Sequence, residues 1–97
     1  MRPEGALGEL SDFAVGHESG EIHVHAASLA LDERRDGEPV TRIMLLVNDP
    51  AGDTWELDSV LRLRRDLARR AVELGLPTVS VSLVPESDAD SVEDFVR

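Results

Sequence analysis

The sequence predicts an α+β fold in which a small mixed β-sheet has one long helix packed on a face. Three observations predict it: residues 21–31 alternate apolar and polar side chains, residues 43–47 are apolar on both faces, and residues 54–74 carry apolar side chains at helical spacing. The expected order of elements is strand, strand, helix, strand (ββαβ), followed by a short C-terminal helix.

The first two strands are expected to pair as a hairpin. In the first strand Ile22, Val24 and Ala26 point to one face, which is the period of a half-buried strand. Residues 32–39 form a polar loop with an Asp-Gly turn signal. The second strand is expected at residues 40–47, and its residues 43–47 are apolar on both faces. Such a strand belongs in the centre of a sheet with both sides covered or nearly so.

The long helix is expected to run from about Thr54 to Leu74. Asp53 provides an N-cap, and Glu56, three residues later, completes a capping-box pattern. Gly75 ends the helix because glycine adopts the backbone conformation that follows a last helical turn. The apolar residues at helical spacing share one side of this helix: Leu57, Val60, Leu61, Leu67, Ala68, Ala71 and Leu74.

The helix is expected to cross over to a third strand at residues 78–84, which alternates again and ends at Pro85. A connection of this length makes the second and third strands parallel, with a right-handed crossover. Four residues that lie on the inward faces of their elements are expected to be buried together in the core: Leu45, Leu61, Leu67 and Val81.

The 97 residues are expected to form one domain. Residues 1–12 contain three glycines or prolines, and their apolar residues show no clear period, so we expect a loosely ordered N-terminal lead-in. Residues 12–15 are expected to add a short edge strand. The acidic tail, residues 86–97, is expected to contain the short C-terminal helix, whose apolar side is formed by Val92, Phe95 and Val96.

The composition excludes several classes of function. The chain has no cysteine, which excludes disulfides and thiolate chemistry. The chain has twenty acidic residues and ten basic ones, all arginine, and the resulting net charge of −10 disfavours binding to nucleic acid phosphates. No apolar run approaches the ~20 residues of a membrane helix. We therefore expect a soluble, cytoplasmic protein that binds neither membranes nor nucleic acids.

All three histidines lie within nine residues of one another. On a strand, Glu21, His23 and His25 would project from one face, and His17 could fold back towards them. Two imidazoles and a carboxylate can bind a divalent transition metal such as zinc. The alternative is the solvated polar face of an ordinary strand, and both interpretations stay open.

The long helix is expected to provide the one surface that is not acidic. Residues 54–75 carry a net charge of +1, whereas the rest of the chain carries −11. The arginines on this helix could therefore bind a carboxylate-rich partner, a phosphate ligand or the acidic tail of a second copy. Alternatively, pairs such as Asp58 with Arg62 and Asp66 with Arg70 neutralise a solvated face. The candidate partner-binding residues are Arg62, Arg64, Arg65, Arg69 and Arg70.

Arg64 differs from the other arginines because its helical angle places it among apolar residues. A buried arginine needs a partner, so either its charged end reaches solvent or its face meets another chain.

No catalytic motif is present, so the sequence favours a non-enzymatic interaction or regulatory domain that associates with a protein partner or with itself as a homo-oligomer. One version is an acidic chaperone or immunity-type protein that neutralises a basic partner. The alternative is a small metal-binding protein that uses Glu21, His23 and His25.

Overall fold

The structure is a computed structural model that describes residues 3–91, with the side chains of residues 5–88. Its elements, in chain order, are helix α1 (Pro3–Ala14), strands β1 (Glu18–Ser19), β2 (Ile22–Glu33) and β3 (Pro39–Val47), helix α2 (Leu57–Glu73), strand β4 (Val79–Pro85) and a 3-10 helix (Glu86–Ser91).

The four strands form one mixed sheet in the order β1-β2-β3-β4. Strand β2 pairs antiparallel with both β1 and β3, whereas β3 pairs parallel with β4. Helix α2 connects the two parallel strands. Helices α1 and α2 contribute to a single buried cluster with the inward residues of β2 and β3, so both helices lie on the same face of the sheet.

The α+β class and the mixed sheet agree with the sequence analysis, but the predicted ββαβ order is wrong. Three strands precede the long helix, so the order of elements from β1 onwards is β-β-β-α-β. Helix α1 precedes β1, so the described residues contain two α-helices. The additional strand is β1, at Glu18–Ser19, whereas the edge strand expected at residues 12–15 is not formed because Pro3–Ala14 is helical.

The predicted short C-terminal helix is not seen either. The first part of the acidic tail, Glu86–Ser91, forms a 3-10 helix, and residues 92–97 lie outside the part of the chain that the structure describes.

Helix α1 occupies the segment that the sequence analysis treated as a lead-in. Ala6, Leu10 and Ala14 are spaced four residues apart, and all three are buried. This spacing places them on one face of a helix, while the helix begins at Pro3, a residue that suits a first helical position. The burial of Leu10 in the central cluster offsets the low helix propensity of the two glycines in this segment.

Strand β2 contains a β-bulge at His25. The register passes from Val24 opposite Val47 to Ala26 opposite Leu46, so His25 has no partner on β3. An extra residue reverses the alternation of side chains beyond it. Ile22 and Val24, which precede the bulge, are buried as predicted. Beyond the bulge the alternation is reversed, so Ala27 rather than Ala26 packs against the core.

Helix α2 begins at Leu57 with Glu56 as its N-cap residue, later than the expected start at Thr54 with an Asp53 cap. Its buried face is also rotated from the predicted one. The residues that it buries recur every four positions: Ser59, Leu63, Leu67 and Ala71. Of the predicted core, Leu45 and Leu67 are fully buried and Val81 is half-buried, but Leu61 is exposed.

Candidate interaction surface

Helix α2 has a second apolar stripe that the rest of the described chain leaves uncovered. Leu57 and Leu61, one helical turn apart, expose 69% and 50% of their surface. They border a groove of about 450 Å³ between α2 and β4, which ends at Arg64. The other residues that line this groove are Thr54, Trp55, Val60 and Leu83. Of the residues that the sequence analysis assigned to the core side of α2, Leu57, Val60 and Leu61 therefore line this groove, whereas Leu67 and Ala71 are buried in the core.

The groove continues into a basic hollow of about 500 Å³ on the other side of Arg64. Arg34, in the β2–β3 loop, and Arg64 and Arg65, on α2, line this hollow together with Val79 and Val81 of β4. Within the described residues these three arginines make no ion pair, although the chain has twenty acidic residues. Their positive charges are therefore available to a carboxylate-bearing partner.

Strand β4 forms the edge of the sheet, and within residues 3–91 it pairs only with β3. The backbone N–H of Thr41 donates to the carbonyl oxygen of Thr78 at 2.7 Å, and Thr41 lies opposite Val79. In a parallel ladder, alternate residues direct their backbone groups to opposite sides. The N–H and C=O groups of Val79, Val81 and Leu83 therefore point away from β3, towards the open edge.

The open edge lacks the features that usually prevent strands from adding to a sheet. Such edges commonly carry charged side chains, internal prolines or bulges. Between Val79 and Val84, β4 contains only valine, serine and leucine, and its pairing with β3 is regular. The chain thus combines unpaired backbone groups, exposed leucines and unpaired arginines on one surface. We call this surface, formed by the β4 edge and the groove and hollow along α2, the α2–β4 surface.

The five arginines predicted to bind a partner do not form one site. Arg64 and Arg65 lie in the basic hollow, whereas Arg62 and Arg69 lie on α2 outside it. The expected pairing of Arg70 with an aspartate is also absent, because Arg70 contacts Glu73 at 3.5 Å.

The three histidines each approach a different carboxylate. The His17 Nε2 lies 3.2 Å from Asp66 of α2, and the His23 Nδ1 lies 3.1 Å from Glu18 of β1. The Nε2 of the third, His25, lies 3.2 Å from the Glu86 carboxylate. The contact of His17 therefore connects the segment before β1 to α2, and the contact of His25 connects β2 to the 3-10 helix.

Of the four residues predicted to bind a metal, the structure brings together His23 and His25, whose ring centroids are 5.0 Å apart in an edge-to-face arrangement. The other two, Glu21 and His17, are hydrogen-bonded to α2. No group of three or more histidine and carboxylate side chains in the described residues is arranged to hold a metal ion.

The carboxylate of Glu21 instead caps α2. Its Oε1 accepts a hydrogen bond from the backbone N–H of Glu56 at 2.8 Å, and its Oε2 accepts one from the Ser59 hydroxyl at 2.9 Å. In a capping box the carboxylate comes from the third residue of the helix; here Ser59 occupies that position and Glu21 supplies the carboxylate. The Glu56 N–H and, to a smaller extent, Ser59 lower the pKa of Glu21, because both bonds favour its charged form.

The lowered pKa of Glu21 predicts a pH-dependent contribution to stability. The folded protein holds the ionised carboxylate more strongly than the unfolded chain does, so this contribution is complete above the unfolded pKa and is lost as the pH falls through the folded pKa. We expect Glu21→Gln to lower the free energy of unfolding at pH 7 and to have a smaller effect below pH ~3. Urea denaturation at both pH values measures the difference, and equal effects would contradict the capping role.

Three features of the surface were missed by the sequence analysis. Arg34 was placed in a polar loop, and Leu57 and Leu61 were assigned to the core. One signal was present: an uncharged strand bounded by Pro77 and Pro85 is a pattern typical of an edge, because proline is confined to edges and ends of strands. The position of Arg34 beside α2 depends on the hairpin and has no local signal.

No family model matches this chain, and neither the curated proteins nor the solved structures that were compared with it give a match. None of the helices among residues 3–91 is long and apolar enough to cross a membrane. The functional proposal therefore depends on the geometry of the chain itself.

Proposed function

We propose that this protein is a non-enzymatic interaction domain that binds an extended protein segment as an additional strand beside β4. The observation that carries this proposal is the α2–β4 surface, where an unpaired sheet edge lies next to exposed leucines. Strand addition of this kind uses backbone hydrogen bonds for affinity and side-chain pockets for specificity.

Each part of the surface supports one part of such binding. The outward N–H and C=O groups of Val79, Val81 and Leu83 can form a ladder with an incoming strand. Leu57 and Leu61 offer apolar area whose burial contributes about 25 cal/mol per Å². The basic hollow favours a segment that carries acidic residues, since charge-assisted hydrogen bonds to arginine are strong.

The test uses a labelled peptide with the sequence of residues 77–88, which has the alternation of an edge strand and ends in acidic residues. We expect it to bind the full-length protein with a Kd on the order of 10 μM to 1 mM, measured by fluorescence anisotropy. The same peptide with proline in place of the valine at position 81 should not bind, because proline removes a ladder N–H.

Two variants of the protein locate the binding site. Leu61→Asp places a charge in the groove and should weaken peptide binding at least tenfold. Arg69→Gln changes the net charge by the same amount at an exposed position of α2 outside the groove, so it should leave the Kd unchanged. Equal binding of the two peptides, or equal effects of the two variants, would show that the peptide does not add to β4.

A second candidate function is binding of a divalent transition metal, favoured by the adjacency of the His23 and His25 rings. In metal sites a ligating histidine usually donates its other ring N–H to a carboxylate, and Glu18 and Glu86 lie where they can accept such bonds. His23 and His25 would supply two ligands to zinc, with solvent or a reoriented carboxylate completing the site.

Zinc binding is tested by thermal and urea denaturation at pH 7.5 without a histidine tag. If the site forms, zinc at about 100 times its Kd raises the free energy of unfolding by about 2.7 kcal/mol. His25→Ala should abolish this increase, whereas His17→Ala should not, because His17 contacts Asp66 on α2. An unchanged midpoint with zinc would reject the metal function.

A further inference from the structure

We propose that the segment that binds beside β4 is the β4 strand of a second copy, paired antiparallel about a twofold axis at Val81. This inference rests on the proposed function and names the partner. It requires that the same surface be complementary to itself, as every twofold interface must be.

The backbone of β4 meets this requirement. The outward-facing residues, Val79, Val81 and Leu83, are symmetric about Val81. In an antiparallel pair centred there, Val81 faces the same residue of the second copy and exchanges both hydrogen bonds with it, while Val79 faces Leu83. All three outward N–H groups and all three outward C=O groups would be paired, and the two sheets would become one continuous sheet.

The distribution of charge also favours the antiparallel arrangement. The arginines of the basic hollow lie beside Val79 and Val81, at the start of β4. The segment at the other end of the groove, next to Leu83, contains the exposed acids Asp53 and Glu56, and the exposed acid Glu86 directly follows β4. Pairing the start of one β4 with the end of the other places the arginines of each copy towards the acids of the other.

The exposed leucines would be covered by the same arrangement. A twofold axis perpendicular to the sheet places the two α2 helices side by side on one face, running in opposite directions. The uncovered stripes that contain Leu57 and Leu61 then face each other across the paired β4 strands, which removes apolar surface from water in both copies.

The register is tested at Ser80 and Ser82, whose exposed side chains lie on the face of β4 opposite α2. In the proposed pair, Ser80 of each copy faces Ser82 of the other. Ser80→Glu combined with Ser82→Glu, or Ser80→Lys combined with Ser82→Lys, places like charges opposite each other at both positions. Ser80→Glu combined with Ser82→Lys, the opposite-charge combination, places a negative charge opposite a positive one at both positions.

The measurement is the mass in solution by sedimentation equilibrium at about 100 μM protein, a concentration well above the Kd of a micromolar dimer. We expect twice the chain mass of 10.6 kDa for the wild type and for the opposite-charge combination, and the monomer mass for both like-charge combinations. Circular dichroism checks that all variants remain folded.

The outcomes separate this inference from the proposed function. A monomeric wild type that still binds the labelled peptide would overturn the dimer and leave strand addition intact. If the wild type and both like-charge combinations all have the dimer mass, the proposed register is overturned and the chains associate through another surface. If the wild type is monomeric and the peptide does not bind, both proposals are rejected. If the wild type is a dimer, the second copy covers the β4 edge, so peptide binding is measured on the monomeric like-charge combinations, and a lack of binding there rejects strand addition.

Discussion

Leu67→Ala is expected to destabilise the protein by about 2–5 kcal/mol, which is a large part of the stability of a domain of this size. Leu67 lies in the middle of α2, and its side chain is fully buried in the cluster formed by α2, α1 and the inward face of the sheet. Removing its isobutyl group leaves a cavity that neighbouring side chains fill only in part. Urea denaturation monitored by circular dichroism measures the loss.

Val72→Ala is the matched control because it also truncates an apolar residue of α2. Val72 exposes 75% of its surface, so its truncation should change the free energy of unfolding by less than about 0.5 kcal/mol. If the two substitutions have similar effects, the buried face of α2 is not the one that contains Leu67.

Gly20→Ala is expected to cost about 2–4 kcal/mol, the second large effect, for two separate reasons. Gly20 has a φ of 58°, a conformation that residues with a Cβ adopt at a cost of about 1–2 kcal/mol. In addition, a Cβ at this position would collide with the Ser59 Oγ on the first turn of α2. The β1–β2 turn can approach the helix closely enough for Glu21 to cap it because residue 20 has no side chain.

Two controls separate the collision from the backbone strain. Gly37 also has a positive φ, of 86°, but no atom lies within 4 Å of an added Cβ, so Gly37→Ala should cost only about 1–2 kcal/mol. Combining Gly20→Ala with Ser59→Ala removes the colliding hydroxyl, so the double variant should be more stable than the sum of the two single effects implies, by roughly 1 kcal/mol. Strict additivity would mean that the turn moves away from α2 without cost.

The elements best predicted from sequence are those whose pattern is complete within one segment. Strands β3 and β4 were placed to within a residue or two because alternation and bounding prolines are local. The end of α2 was also placed correctly: Gly75 has a φ of 75°, and the N–H of Leu76 bonds to the carbonyl oxygen of Ala71 at 2.9 Å, as in a Schellman motif. Helix α1 was missed because two glycines outweighed three apolar residues at four-residue spacing.

The sequence predicted some residues of the candidate site but not how they are arranged. The sequence indicated an association surface on α2 with unusual charge, and it identified Arg64 as a residue out of place on an apolar stripe. It did not indicate that this stripe would lie beside the sheet edge, because α2 carries two neighbouring apolar stripes and either could be buried. In the structure the buried stripe contains Leu63 and Leu67, which share a cluster with Leu10 of α1 and with the inward residues of β2 and β3.

The sequence by itself determined the α+β class, the parallel crossover, the acidic surface and the clustering of the histidines, since each follows from composition or from a period of two or 3.6 residues. Only the tertiary structure decided which stripe of α2 is buried, where β2 bulges, and that Glu21 caps a helix rather than facing the histidines. These features arise from contacts between residues about twenty or more positions apart, such as Val24 with Val47 and Glu21 with Ser59. A local period fixes how side chains repeat along a segment, whereas packing against distant segments fixes which of them are covered.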